Sequence, residues 1–385
     1  MNNWKIIRLG DAATFINGFA FKPSHWSETG KEIIRIQNLT NSSSKSNFYD
    51  GELPEKYLVK KGDLLISWSA TLGVYEWEKE SAWLNQHIFK VVFDKENYDK
   101  NFFKYLISSS LKKMKEQVHG ATMKHITKKR FDAFQIPLPP LETQKKIAAI
   151  LDAADALRQK TRQIIQEYDQ LAQAIFLDMF GDPVTNPMGW EVKKLDDTSL
   201  KVTDGEHGTV ERLKKGKMYL MAKNVGNGGL NLNEVSYISE DDHTRIYKRC
   251  NPEEGDLLLV CVGATIGRCC LVPRIEQFSL ARSVALIKPN KTEIDSSFLI
   301  YQFKHERFQN QIMNRRNTSA QAGLYIGQIK KLDVIIPPFS IQTQFSEKIA
   351  LIEHQKELAK NSLAESEDLF NALLQKAFKG ELVKA

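Results

Sequence analysis

The strongest constraint on this chain is that it is written twice. Lys61 to Trp77 reads KGDLLISWSATLGVYEW, and Glu254 to Val272 reads EGDLLLVCVGATIGRCCLV. Both strings give Gly-Asp-Leu-Leu, an apolar strand, then Ala-Thr-x-Gly. LNQHIFKVV from Leu84 and LARSVALIK from Leu280 follow as buried strands. Amphipathic helices come next, FFKYLISSSLKKMKEQV and SFLIYQFKHERFQNQIM, then polar loops, then strands ending at Pro139-Pro140 and Pro337-Pro338. Gln144 and Gln342 stand at the same offset after the proline pairs. The matches lie 193 to 198 residues apart in one order. An ordered series at near-constant separation is a duplication, so the chain must build two similar modules.

Each proline pair ends a strand, because proline cannot donate to the ladder. Beyond it the apolar period changes. Glu142 to Phe180 holds no Pro or Gly over 39 residues, roughly 58 Å of helix at 1.5 Å per residue. Its seam reads Ile147, Ile150, Ala154, Leu157, Thr161, Ile164, Tyr168, Leu171 and Ile175, a heptad pattern. Leu151, Ile165, Ala172, Phe176 and Met179 widen the stripe and suggest a second contact surface. A second seam runs Phe345, Ile349, Ile352, Lys356, Ala359, Leu363, Ser366, Phe370 and Leu373, weakened by Lys356 and Ser366. The expected fold is α+β: two repeated modules of mixed α/β structure joined by two long helices that pair as an antiparallel coiled coil. The boundaries fall at 1–140, 141–180, 181–338 and 339–385.

Chemistry is harder to find. No G-x-x-x-x-G-K-[ST] loop is present, and no G-x-G-x-x-G follows a strand. The string closest to an amino-methyltransferase tetrad is Ile336-Pro337-Pro338-Phe339, whose isoleucine cannot accept from a target amine. The eight histidines are scattered, without metal-ligand spacing, and the four cysteines (Cys250, Cys261, Cys269, Cys270) read as buried strand residues. No apolar run is long enough to span a bilayer, and the start lacks a signal-peptide core, so a cytoplasmic location is expected. Net charge is only +7, but Lys100 to Arg130 carries nine basic residues and one acid, Glu116. Such a patch suits either a phosphate backbone or a solvated lysine-rich face.

PPLETQKKIAAIL, FGDPVTNPMGWEVKKL and the terminal LLQKAFKGEL resemble the repeated segments of type I restriction-modification specificity subunits, over essentially the whole chain. The resemblance implies two target-recognition domains, each reading half of a bipartite double-stranded DNA sequence, held apart by the helices. It implies a non-catalytic subunit of a DNA adenine methyltransferase and restriction endonuclease. Two methyltransferase subunits using S-adenosylmethionine dock on it, and restriction subunits using ATP and Mg2+ join them. A methylation-only complex and a protein-only coiled-coil scaffold are the alternatives, as is a self-contained enzyme.

Base edges are read by Arg, Lys, Asn and Gln. The first candidates are the loops after each module helix: Thr122, Lys124, His125 and Lys128, then Arg315, Arg316, Asn317 and Gln321. A second tier is Arg35, Gln37 and Asn38 with their counterparts Lys223 and Asn224, and Gln86 with its repeat-equivalent Arg282. Trp68 either stacks on a base or packs, and the turns at Thr71-Gly73 and Thr265-Gly267 are either contacts or structural turns. The helix-pairing candidates are Ile147, Ile150, Leu157, Ile164, Tyr168, Leu171, Ile349, Ile352, Leu363, Phe370 and Leu373.

Overall fold

The computed structural model describes residues 4–40, 44–69, 71–116, 127–317 and 323–383. It divides into two compact units, 1–162 with 361–385, and 163–360. The long helices, Leu141–Phe180 and Phe339–Lys379, each contribute one part to either unit. A division read along the chain therefore differs from a division by compactness.

The first unit is built on a four-stranded antiparallel sheet in the order Thr14–Asn17, Ile88–Val92, Leu64–Ser67, Gly73–Glu76. The second has the same arrangement: Ser199–Asp204, Val284–Pro289, Leu257–Val260, Cys269–Leu271. The duplicated Gly-Asp-Leu-Leu strings form a central strand in both. All four residues of Leu64–Ser67 and of Leu257–Val260 are buried, which fits a strand covered on both faces. Period-two alternation then sends neighbours to opposite cores. Leu257, Leu259 and Cys269 join one cluster, and Leu258, Val260 and Cys270 the other. The adjacent cysteines consequently face apart, and burial pushes both thiols up to about 12.

A mixed sheet completes each unit. Lys31–Ile34 runs parallel to Ala82–Leu84 in the first, and Lys217–Leu220 parallel to Ser279–Leu280 in the second. The proline-terminated strands pair antiparallel with the strand that opens each module: Lys5–Arg8 with Gln135–Leu138, and Glu191–Lys194 with Asp333–Ile336.

The two glutamines noted after the proline pairs are buried clamps. Gln144 Oε1 accepts the Asp99 N–H at 2.9 Å, while Nε2 donates to the Asn97 and Pro139 carbonyls. Gln342 does the same with Asp295, Glu293 and Pro337. Each aspartate in turn accepts backbone N–H groups at the start of its module helix, Lys100–Glu116 or Ser296–Lys304. One side chain thus ties strand end, helix cap and long helix together.

The long helices run antiparallel in each unit. In the first, the Arg158 guanidinium lies 3.7 Å from the Phe370 ring centroid and Arg162 pairs with Glu367 at 2.5 Å. In the second, Lys356 pairs with Asp169, and Phe176 and Phe180 pack on Phe345. The C-terminal helix buries Phe345, Ile349, Ile352, Lys356, Ser366 and Phe370, with Leu363 and Leu373 half-buried. The central helix corrects the expected seam. Ile147 is buried, and Ile164 and Tyr168 are half-buried, but Ile150, Leu157 and Leu171 are 37%, 50% and 47% exposed. Ile147 and Thr161 of that seam are buried, and the other covered positions include Leu151, Ala172 and Phe176 from the widened stripe. The apolar stripe is wider than one seam, and its other edge, with Leu151, Ala172 and Phe176, faces inward.

Candidate nucleic-acid interface

In the first unit, strand Thr14–Asn17 leads into Gly18, which passes against the turn joining Ala82–Leu84 to Ile88–Val92. The approach is so close that a Cβ on Gly18 would lie 2.1 Å from the Asn85 carbonyl oxygen. Only glycine fits there. The turn is fixed by Gln86 N–H donating to the Phe19 carbonyl at 2.8 Å. His87 takes a left-handed conformation, φ +73°, which is uncommon outside glycine. Its ring lies 5.0 Å from that of Trp68, whose Nε1 donates to Asn17 Oδ1 at 3.4 Å and whose indole stacks on Phe89. The Lys128 ammonium sits 5.3 Å from the Phe89 ring while pairing with Asp132 at 2.8 Å. Gln86, His87, Asn17, Trp68 and Lys128 thus share one polar and aromatic edge.

The second unit repeats the frame with other side chains. A Cβ on Gly205 would lie 2.1 Å from the Leu280 carbonyl oxygen, and Arg282 N–H donates to the Glu206 carbonyl at 3.0 Å. Gln86 and Arg282 occupy equivalent places. Around Arg282 the edge is charged. Glu206 accepts from Gly208 N–H at 2.7 Å and from Arg245 at 2.9 Å, which together hold its carboxyl below the usual range. Asp204 takes His207 and Arg249 at 2.7 and 2.8 Å. Arg282 itself is exposed and pairs with no carboxylate among the described residues. Among those residues no group of His, Cys, Asp and Glu is arranged to hold a metal ion.

A profile described as the type I restriction modification DNA specificity domain matches residues 1–168 and again 187–367. The chain belongs to that family. It is 26% identical to the type I restriction enzyme EcoBI specificity subunit of Escherichia coli over 99% of its own length and 86% of the relative's. It is 21% identical to the MjaVIII specificity subunit of Methanocaldococcus jannaschii, covering 99% and 93%. The fold is similar to the crystal structure of a type I S subunit from M. genitalium, with TM-score 0.57 and 16% identity over 98% and 97% of the two chains. A chain from a type I R-M system structure gives TM-score 0.55 at 16% identity, covering 99% of each.

Within this specificity protein the sequence candidates fall into several settings. Thr122, Lys124, His125 and Gln321 lie outside the described residues. Asn38 and Asn224 must be withdrawn as base readers. Asn224 is 1% exposed, its Oδ1 accepts from Met221 N–H, and its Nδ2 donates to the Asn231 and Glu234 carbonyls. Asn38 closes the equivalent turn on Arg35 N–H. Arg315 is also a correction, since it binds the Lys331 carbonyl and Asp333 at 2.6 and 2.9 Å. Arg35 is half-buried, donates to Asn47 at 2.9 Å and lies over Trp26. Gln37 and Lys223 are exposed, the latter 3.5 Å from Glu234. Arg316 and Asn317 are exposed just beyond helix Glu306–Arg315. Residues missed in the sequence are Asn17, His87 and the glycine pair; Asn17-Gly18 and Asp204-Gly205 carried the signal, offset by 187 rather than 193 to 198 residues.

Proposed function

We propose that this chain reads a bipartite DNA target, with each unit contacting one half-site and the helix pair setting the spacer. What supports the reading is the repeated glycine-seated turn, which offers a neutral amide at Gln86 and a guanidinium at Arg282. Glutamine matches the adenine edge and arginine the guanine edge of the major groove. A duplicated frame with different tips is what two different half-sites require.

In the same reading the helices dock two methyltransferase subunits, which bring S-adenosylmethionine, and restriction subunits bring ATP and Mg2+. Exposed apolar side chains remain on both helices for such partners to cover, Ile150 and Leu157 on one and Leu351 and Leu358 on the other. In this reading the complex works in the cytoplasm.

Mapping methylated adenines in DNA exposed to the chain with its methyltransferase partner tests this. Gln86→Ala should relax one half-site and Arg282→Ala the other, each by roughly 1–3 kcal/mol of discrimination. A target with a single uninterrupted site, or one unchanged by both substitutions, overturns the proposal.

A further inference from the structure

The basic run noticed in the sequence is not uniform in the structure. Lys100 is committed to the fold, donating to Glu76 at 2.5 Å and to the Gly62 carbonyl at 2.8 Å. Lys128 pairs with Asp132. By contrast, Lys112, Lys113 and Lys115 are exposed, and none lies within ion-pair distance of a carboxylate among the described residues.

Two of these lysines line a groove of about 450 Å³ in the first unit. Its other walls are Thr71, Leu72 and Gly73, from the turn between strands Leu64–Ser67 and Gly73–Glu76, and Ser108 and Leu111 of helix Lys100–Glu116. Ser108, Lys112 and Lys115 stand at spacings of four and three, on one helix face. The Ser108 hydroxyl already donates to the Lys104 carbonyl at 2.8 Å, so it offers the groove an acceptor. The two ammonium groups and the Thr71 hydroxyl supply the donors. This donor set fits an anion and not a cation.

The second unit closes the same place. There Gln309 reaches the equivalent turn and donates to the Gly267 carbonyl at 3.0 Å and the Phe303 carbonyl at 2.5 Å. Its amide would clash with any Cβ at Gly267, at 2.4 Å. The cations of helices Ser296–Lys304 and Glu306–Arg315 are engaged too, which leaves the exposed Arg268 on the turn itself. Arg307 pairs with Asp182 at 3.1 Å, Arg315 with Asp333, and Lys304 lies over Tyr301.

We infer that the Lys112–Lys115 groove is a phosphate-backbone anchor for duplex DNA, and that the first module carries it without a counterpart in the second. The inference rests on the DNA-reading proposal above. The turn that forms one wall also bears Trp68 at its other end, so the groove adjoins the base-reading edge within one hairpin. An anchor of this kind positions the duplex without reading it.

The test is the salt dependence of duplex binding by the full chain, followed by fluorescence anisotropy on a target duplex and an unrelated one. Each lost phosphate contact reduces the slope of log K against log salt by about 0.9. Lys112→Gln with Lys115→Gln should reduce it by about 2. The affinity lost between ~50 and ~200 mM salt should then be about tenfold smaller than for the unmodified chain. Affinity for the two duplexes should fall by one common factor, leaving sequence preference intact. Lys113→Gln, on the same helix outside the groove, is the control for general charge. An unchanged slope in the double variant, or an equal drop per lysine in the control, overturns the groove while leaving the reading proposal standing. An unmodified chain that binds neither duplex overturns both.

Discussion

At the scale of single residues, Gln342 and Gln144 show how one side chain can hold three elements. Replacing Gln342 by alanine leaves the part-buried N–H of Asp295 and the Glu293 and Pro337 carbonyls without their partner. A buried group left unsatisfied costs about 1–3 kcal/mol, so we expect a loss of roughly 2–4 kcal/mol in chemical denaturation, and a similar one for Gln144→Ala. A loss under 1 kcal/mol would show that water replaces the amide. His243 gives a pH prediction. Burial first, and Lys217 beside it, hold its imidazole below the ordinary value, with Nδ1 2.9 Å from Ser279 Oγ. A lowered folded-state value means the unfolded chain binds the proton more readily, so this contribution is present above pH ~6.5 and is lost as pH falls through the folded value. His243→Gln should flatten the fall in melting temperature below pH ~6.5; an identical fall in the variant refutes the assignment. The repeat alone exposed Gln86 and Arg282 as equivalent in the sequence. It could not separate base readers from turn formers at Asn38 and Asn224, because the same amide serves both purposes. Nor does composition betray a left-handed histidine such as His87.

At the scale of elements, the central strands were legible because duplication supplied the pattern twice and an apolar run, LLI or LLLV, marked each; the second module's helix, read as one, breaks at His305 into Ser296–Lys304 and Glu306–Arg315. The phase of the central helix was not legible. Ile150, Leu157, Ile164 and Leu171 recur every seven residues, and so does the set containing Ile147, Ala154, Thr161 and Tyr168. Size favours the first set, whereas the structure covers Ile147 and Thr161 of the second and Leu151 and Ala172 at its edge. The module cores also pack against this helix, with Ile147, Ala148 and Leu151 in one and Ala172, Phe176 and Phe180 in the other, so a heptad pattern alone does not fix its buried face. The two leucines discriminate. Leu151→Ala empties a fully buried site and should cost about 2–4 kcal/mol, while Leu157→Ala, half exposed, should cost less than about 1 kcal/mol in the isolated chain. Equal costs would restore the seam first read. Lys356 fits the corrected picture: it stands at a buried position because Asp169 and Glu353 receive its charge.

At the scale of the whole molecule, the proposed division of labour makes helix length a variable independent of base reading. The central helix has 40 residues, about 60 Å at 1.5 Å each. Four residues added near Thr161, with four added opposite in the C-terminal helix, lengthen each by about 6 Å and turn it by roughly 40° beyond a full rotation. An apolar residue placed at a step of four continues the seam as a local stutter, so pairing should survive. Six ångströms is on the order of one or two base-pair steps of duplex DNA. Methylation mapping should then return the same two half-sites with a spacer longer by one or two base pairs. The insertion touches neither Gln86 nor Arg282, so a changed half-site would mean that the helices take part in reading bases. An unchanged spacer, with the variant folded and active, would mean that something other than helix length sets the distance.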